Sequence, residues 1–266
     1  MYSVNYHRAT SVADAAKLLK SGGDAKLLSG GMTLIPAMKT RLAAPSDLVD
    51  VSRLKELQGV KVSGKTVTIG AATTHYDVST DEKLKKACRA LAHMASLIGD
   101  PAVRHKGTIG GSIANNDPAA DYPAALLALG ATIVTNKREI AADKFFKGLF
   151  ETALKEGEII TAVTFTAPAK AAYQKFRNPA SRYAIVGVFV TKGKDGVRAA
   201  VTGAGDDGVF RSKEIEAALA KKFDASALDG LKVPANGLMS DIHASADYRA
   251  NLIAVMAKRA VAAANA

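Results

Sequence analysis

The chain has 266 residues, 48% hydrophobic and 23% charged, with 22 glycines and 8 prolines. That composition excludes a disordered, collagen-like or low-complexity protein. The formal net charge is +11, yet the basic residues come in scattered pairs such as Lys85-Lys86 and Lys137-Arg138, with no basic tail and no aromatic interleaving, which argues against a nucleic-acid module and for solvated lysines with an anionic cofactor or partner.

A single cysteine, Cys88, excludes an internal disulfide and any four-thiolate cluster within the chain. No apolar run approaches the roughly 20 residues that a spanning helix needs. The opening residues, MYSVNYHRAT, lack a signal-like apolar core. A cytoplasmic protein is the expectation.

In chain order, Ser11 to Lys20 carries apolar residues at helical spacing, ended by Ser21-Gly22-Gly23. Lys26-Leu27-Leu28 reads as a short strand, Asp47 to Val51 as a second, and Thr66 to Ala72 as a strand with one buried face. Asp81 to Ile98 is the clearest helix: Leu84, Cys88, Leu91, Ala95 and Ile98 share a face, and Ser79, Thr80 or Asp81 can cap it. Gly99 to Asp121 reads as a long functional loop. A helix follows with Asp121 as N-cap and Pro123 in its first turn. Thr132 to Thr135 and Glu158 to Thr166 read as strands, and Pro168 to Ala172 as a boundary. Beyond it come three strands, Tyr173 to Phe176, Tyr183 to Val190 and Val197 to Thr202, read as an antiparallel sheet. Helices close the chain at 212–222 and 245–264.

Two glycine motifs carry the chemistry. Leu28-Ser29-Gly30-Gly31-Met32-Thr33-Leu34 follows a strand directly. Paired glycines let backbone N–H groups approach an anion without Cβ obstruction. An ordinary turn has the same sequence, and alone it would be the plainer reading. The second, Thr108-Ile109-Gly110-Gly111-Ser112, again joins glycines to hydroxyls, behind Arg104-His105-Lys106. Together the two loops point to a diphosphate-containing ligand. Gly203-Ala204-Gly205-Asp206-Asp207-Gly208 matches the dinucleotide fingerprint but lacks its strand–helix–strand context, and its two aspartates would repel a pyrophosphate. It reads as a strand-to-helix turn. His93 reads as structural, Cys88 as a buried inert thiol, and the five histidines show no metal-ligand spacing. No nucleophile elbow, HExxH or P-loop is present, so a cofactor would carry any redox chemistry.

The SGGMTL loop, the segment IGDPAVRHKGTIGGSIANNDPAADYPAALLALGA and the later YQKFRNPASRYAIVGV resemble the FAD-binding medium subunits of the molybdenum hydroxylases, a family that includes xanthine dehydrogenase and aerobic carbon monoxide dehydrogenase. The resemblance covers nearly the whole chain. It implies an α+β fold: a two-lobed FAD-binding domain of the vanillyl-alcohol-oxidase type, with lobes at 1–55 and 56–168, and a C-terminal α+β domain at 169–266. It implies that Leu28, Ser29, Gly30, Gly31, Met32, Thr33 and Leu34 wrap the cofactor's pyrophosphate and ribityl chain, with Ile35 and Pro36 continuing that wall. Thr108, Ile109, Gly110, Gly111 and Ser112 would form a second diphosphate loop. Ile98 or Gly99 would lie near the flavin or adenine, Asp121 would hydrogen-bond the cofactor, and Ile159 or Ile160 would contact it. Lys175 and Tyr183 would lie beside the isoalloxazine.

The family often has AGGTDL or AGGHSL where this chain has SGGMTL, and TIGGN where it has TIGGS; Ser112 keeps donor and acceptor with a shorter reach. The implied role is electron transfer from iron–sulfur clusters on a small subunit, fed by a molybdenum cofactor on a large subunit, to an external acceptor. The implied assembly is a dimer of heterotrimers. The rival reading is a self-sufficient flavin oxidoreductase of the same broad fold, which would need an acid or base beside the flavin. The hydroxylase's substrate is not readable from this chain.

Overall fold

The computed structural model describes all 266 residues. The first unit is a parallel sheet with helices: β1 (Asn5–Arg8), α1 (Val12–Ser21), β2 (Ala25–Leu28), α2 (Leu34–Lys39) and β3 (Asp47–Asp50), in spatial order β1-β3-β2. Ser11 caps α1, its hydroxyl accepting the Asp14 N–H at 3.0 Å. Ala15 of α1 and Val49 of β3 are wholly buried in a core that also takes in Leu57, Ala72 and Ile159. Parallel strands need a crossover connection, and the one from β2 to β3 runs through the glycine loop and α2. That loop therefore leaves the carboxyl end of a parallel strand, where such sheets bind ligands.

The second unit begins with β4 (Val60–Ser63) and β5 (Thr66–Gly70). Helices α3 (His75–Thr80), α4 (Glu82–Ser96), α5 (Pro101–Arg104), α6 (Ile109–Asn115) and α7 (Asp121–Leu129) follow. Then come β6 (Thr132–Thr135), β7 (Glu139–Ala141), α8 (Ala142–Phe145), the hairpin β8 (Phe146–Gly148) with β9 (Glu151–Thr152), and β10 (Ile160–Thr166). The antiparallel sheet runs β4-β5-β10-β6-β7. Asp81 caps α4 through the Leu84 N–H at 2.8 Å, and Leu84, Cys88, Leu91 and Ala95 are buried as the periodicity requires. Burial pushes the Cys88 thiol up to about 11, so it stays protonated and inert.

Three expectations change here. The stretch from Gly99 to Asp121 is not one loop: it holds α5 and α6. Asp100 caps α5 through the Val103 N–H at 2.9 Å, with Pro101 at the first helical position. Thr108 caps α6. Helices this short show too few apolar positions for a period to be read. Asp121 is not the N-cap of α7: Ala120 holds that place without a side-chain bond, and the Asp121 carboxylate is turned elsewhere. His93 lies on the exposed face of α4, outside the core.

The third unit is an antiparallel sheet of four strands, where three were expected, with one short and one long helix. Its elements are β11 (Lys170–Arg177), β12 (Ala184–Gly193), β13 (Gly196–Thr202), β14 (Phe210–Arg211), α9 (Lys213–Lys221) and α10 (Ala246–Asn265). The fingerprint-like turn at Gly203–Gly208 leads to β14 before any helix. The unbroken apolar run of β12 follows from burial on both faces. Phe189 joins Tyr173 and Ala200 in the core around α4 and α7, while Val186, Val188 and Val190 pack with residues of α9 and α10. No helix is long and apolar enough to cross a membrane.

Candidate functional site

The two glycine loops lie against one another. A Cβ on Gly30 would fall 2.1 Å from the Lys106 carbonyl oxygen, so only glycine permits this approach. Ser29 Oγ sits 3.1 Å from Thr108 Oγ1. Gly31 has φ +71°, the left-handed conformation that favours glycine. None of the amide N–H groups from Ser29 through Leu34 donates to an acceptor within the chain. Such a run of free donors at a strand end is an anion-binding arrangement. Met32 and Thr33 are exposed, Leu28 and Leu34 half-buried, and Ile35 and Pro36 form the first turn of α2.

The second loop differs from the expectation of a backbone cradle. The Ile109 N–H donates to the Thr73 carbonyl at 3.1 Å, Gly110 to Ala71 at 2.8 Å and Ser112 to Thr108 at 3.0 Å. Gly111 donates to the Thr108 hydroxyl at 3.2 Å. The first two tie the start of α6 to the segment after β5 and the last two close its first turn, so none is free for a ligand. Ile109 and Gly110 are buried as packing residues. What this segment offers outward is the exposed edge at Gly111 and the half-buried Ser112 side chain.

A buried polar cluster lies beneath the start of α7. The Lys175 ammonium is 3.0 Å from both Asp121 carboxylate oxygens and donates to the Leu97 carbonyl at 3.2 Å. Only 1% of the Lys175 side chain and 4% of Asp121 is exposed. The Tyr173 hydroxyl also donates to Asp121 Oδ1. Burial pushes the Asp121 carboxyl upward, and the Lys175 charge and the Tyr173 hydrogen bond oppose that shift. Ile98 and Gly99 follow Leu97 directly. Their carbonyls accept from Arg104 at 2.9 and 3.1 Å, and Gly99 also accepts from Arg182 at 3.2 Å.

Tyr183 stands at the entry to β12, 45% exposed. Its hydroxyl is held above the usual range by partial burial and by the nearby carboxylates of Asp117 and Asp121. Ile98, Gly99, Asp121, Lys175 and Tyr183 are thus brought together. Ile159 and Ile160 sit in the core, 1% and 6% exposed, and both backbone hydrogen-bonding groups of Ile159 pair with Asn136 at 2.9 Å.

Sequence reasoning missed Tyr173 and Arg182, and took Arg104 only as part of a basic run before the second glycine motif, whereas it holds the Ile98 and Gly99 carbonyls. Tyr173 and Lys175 are two apart on a strand and so share a face, a signal that the sequence does carry. It also missed His75, buried with its Nδ1 unpartnered and its ring 5.4 Å from that of Tyr122.

A phosphate-bearing flavin nucleotide fits these residues: free amides at Ser29–Leu34, a glycine pair in which Gly30 leaves no room for a Cβ and Gly31 is left-handed, and a buried carboxylate–ammonium pair beside an exposed tyrosine. Residues 2–168 match the family described as the FAD binding domain in molybdopterin dehydrogenase. The chain is 36% identical to the carbon monoxide dehydrogenase medium chain of Hydrogenophaga pseudoflava over 97% of its length and 96% of that protein. It is 35% identical to the glyceraldehyde dehydrogenase medium chain of Sulfolobus acidocaldarius, covering 92% and 90% of the two chains. A solved carbon monoxide dehydrogenase from Hydrogenophaga pseudoflava superposes with a TM-score of 0.88 at 36% identity, covering 99% of this chain and 97% of that one.

Proposed function

The chain belongs to the family of FAD-binding domains of molybdopterin dehydrogenases, and from that membership we propose that it is the FAD-binding electron-transfer subunit of a molybdenum hydroxylase. The observation that carries the reading is the Ser29–Leu34 run of unpartnered amides locked onto Thr108 of the second loop. When bound, FAD supplies a redox centre able to take electrons singly and release them in pairs.

The chain's own residues bind and orient. Ser29, Gly30, Gly31, Met32, Thr33 and Leu34 donate backbone N–H groups to the diphosphate, and Leu28, Ile35 and Pro36 wall the chain beside it. Thr108 holds the two loops in register, while Gly111 and Ser112 face the ligand from the second side. Asp121 accepts from a cofactor donor, Ile98 and Gly99 border the ring system, and Tyr183 covers it at the solvent edge. Ile109, Gly110, Ile159 and Ile160 act from behind, as packing that supports these contacts. Lys175 spends its three N–H donors on Asp121 and Leu97, so it acts as the counter-charge of Asp121.

One cysteine cannot hold the iron–sulfur clusters. They belong to a small partner subunit, and the molybdenum cofactor to a large one, in a dimer of heterotrimers. The relatives are named for different substrates, carbon monoxide and glyceraldehyde, while their medium chains remain similar to this one. Substrate choice therefore resides on the large subunit.

The test is anaerobic. FAD titrated into the purified chain should bind one per chain and be bleached by dithionite. Carbon monoxide, aldehydes, purines and N-heterocycles should leave the flavin oxidised until the partner subunits are added. Reduction by one of these substrates with the chain alone would make it a self-sufficient oxidoreductase.

A further inference from the structure

Resting on the FAD-binding reading above, we propose that Tyr173 is a positioning residue for the cofactor: its hydroxyl fixes the rotation of the Asp121 carboxylate so that Oδ2 is presented as an acceptor. Tyr173 and Lys175 alternate along β11 and reach the same carboxylate. Oδ1 takes both the Tyr173 hydroxyl and the Lys175 ammonium, whereas Oδ2 takes only the ammonium. A carboxylate oxygen accepts about two hydrogen bonds. The capacity left is therefore on Oδ2, and Tyr173 makes the two oxygens different.

The fold is shaped to admit that hydroxyl. Gly187 of β12 stands opposite Lys175 in the strand register. A Cβ there would fall 2.2 Å from the Tyr173 oxygen, so any larger residue would push the hydroxyl off Asp121. Tyr173 is 1% exposed; buried tyrosine hydroxyls usually find a hydrogen-bond partner, and here that partner is Asp121. The titratable and charged groups around the carboxylate are Tyr173 and Lys175 from β11, Tyr122 from α7 and Tyr183 at the entry to β12. Lys175 alone could neutralise Asp121, but a single ammonium bridging both oxygens leaves them equivalent.

The test compares FAD affinity against pH in wild type, Tyr173→Phe, Gly187→Ala and the control Tyr122→Phe, with thermal unfolding of each. Tyr122→Phe removes a neighbouring buried hydroxyl that is not bonded to Asp121, so it should leave the pH dependence of FAD binding as in wild type. Tyr173→Phe should weaken binding about tenfold, as expected for one lost hydrogen bond to a charged group. It should also move the acid-side loss of binding to higher pH than in wild type, because a donor that favours the ionised carboxylate is gone. Gly187→Ala, which displaces the hydroxyl without removing it, should produce the same two changes, and keeps the question open to test if Tyr173→Phe folds poorly. Lower melting temperatures with unchanged affinity and the wild-type pH profile would reduce Tyr173 to a packing residue. Absence of FAD binding in wild type would instead overturn the reading on which the proposal rests.

Discussion

Thr108 Oγ1 accepts the Gly111 N–H at 3.2 Å and lies 3.1 Å from Ser29 Oγ, so one hydroxyl both caps α6 and ties the two glycine loops together across 79 positions of sequence. Thr108→Val keeps the shape and deletes both links. It should cost about 1 kcal/mol of stability, the usual worth of an N-cap. FAD affinity should fall further than that loss of stability accounts for, because the Ser29 loop is freed. Thr108→Ser should restore both. Urea unfolding together with flavin titration checks this, and a valine variant with wild-type FAD affinity would show that the loops hold their register by other means.

Three glycines separate binding from folding. A Cβ on Gly110 would meet Ala71 Cβ and Ala71 O at 2.7 Å, so Gly110→Ala should lower stability by about 1–3 kcal/mol through overpacking. A Cβ on Gly111 meets only Thr108 Oγ1, at 3.0 Å, on the exposed side. Gly111→Ala should leave stability nearly unchanged and weaken FAD binding. Gly205→Ala would bring its Cβ within 2.3 Å of the Gly208 carbonyl oxygen and should damage folding alone. Equal FAD affinities in folded Gly111→Ala and Gly205→Ala would place the ligand away from the second loop.

Long periodic elements were legible in the sequence. α4 and α10 bury the faces that their apolar spacing requires, and the strand–SGGMTL junction is where the free amides lie. What sequence hid has physical causes. α5 and α6 are one or two turns long, built from the Gly, Pro, Asp and Thr that otherwise mark loops, and they exist because Asp100 and Thr108 cap them. The short strands β1, β4 and β7 are 3 or 4 residues and gain order from their neighbours. A glycine pair in sequence does not reveal whether its amides are free. At Gly30-Gly31 they are, whereas Gly110 donates to the Ala71 carbonyl and Gly111 to the Thr108 cap.

His75 should make the protein acid-sensitive. Burial, and then the nearby Arg104 charge, lower its pKa from 6.5 to about 4. The folded state keeps the ring neutral while the unfolded state takes up a proton below pH 6.5, so its contribution is fully present above that value and is lost as the pH falls toward 4. At pH 5 the loss is about 2 kcal/mol, because each pH unit below the unfolded-state value favours the unfolded chain by about 1.4 kcal/mol. His75→Leu should remove this part of the slope of unfolding free energy between pH 7 and 5. An unchanged slope would mean that the ring titrates normally in the folded chain.

FAD should be held without a covalent bond. Neither glycine loop contains a histidine or cysteine, and Cys88 is buried as a protonated thiol. Acid precipitation of the loaded protein should release all yellow colour into the supernatant. Colour retained on the precipitated chain would point to a tether outside both loops, with the exposed His105 as the first residue to examine.

On the proposed reading, Tyr183 governs access to the flavin rather than its binding. Its carbonyl accepts the Asn178 N–H at 2.8 Å, closing a turn in which Arg182 has φ +64° and reaches the Gly99 carbonyl at 3.2 Å. The turn is thus pinned to the segment beside Ile98, while the tyrosine ring remains 45% exposed. A ring so placed can cover an apolar cofactor face with its hydroxyl toward water. Tyr183→Ala should keep FAD bound, because the amides of Ser29–Leu34 supply the main contacts, and should speed reoxidation of the photoreduced flavin by oxygen. Tyr183→Phe should reoxidise at close to the wild-type rate, since the ring and not the hydroxyl does the covering. Stopped-flow reoxidation of the three proteins decides the matter: unchanged spectra and equal rates in all three would make Tyr183 part of the turn's packing only.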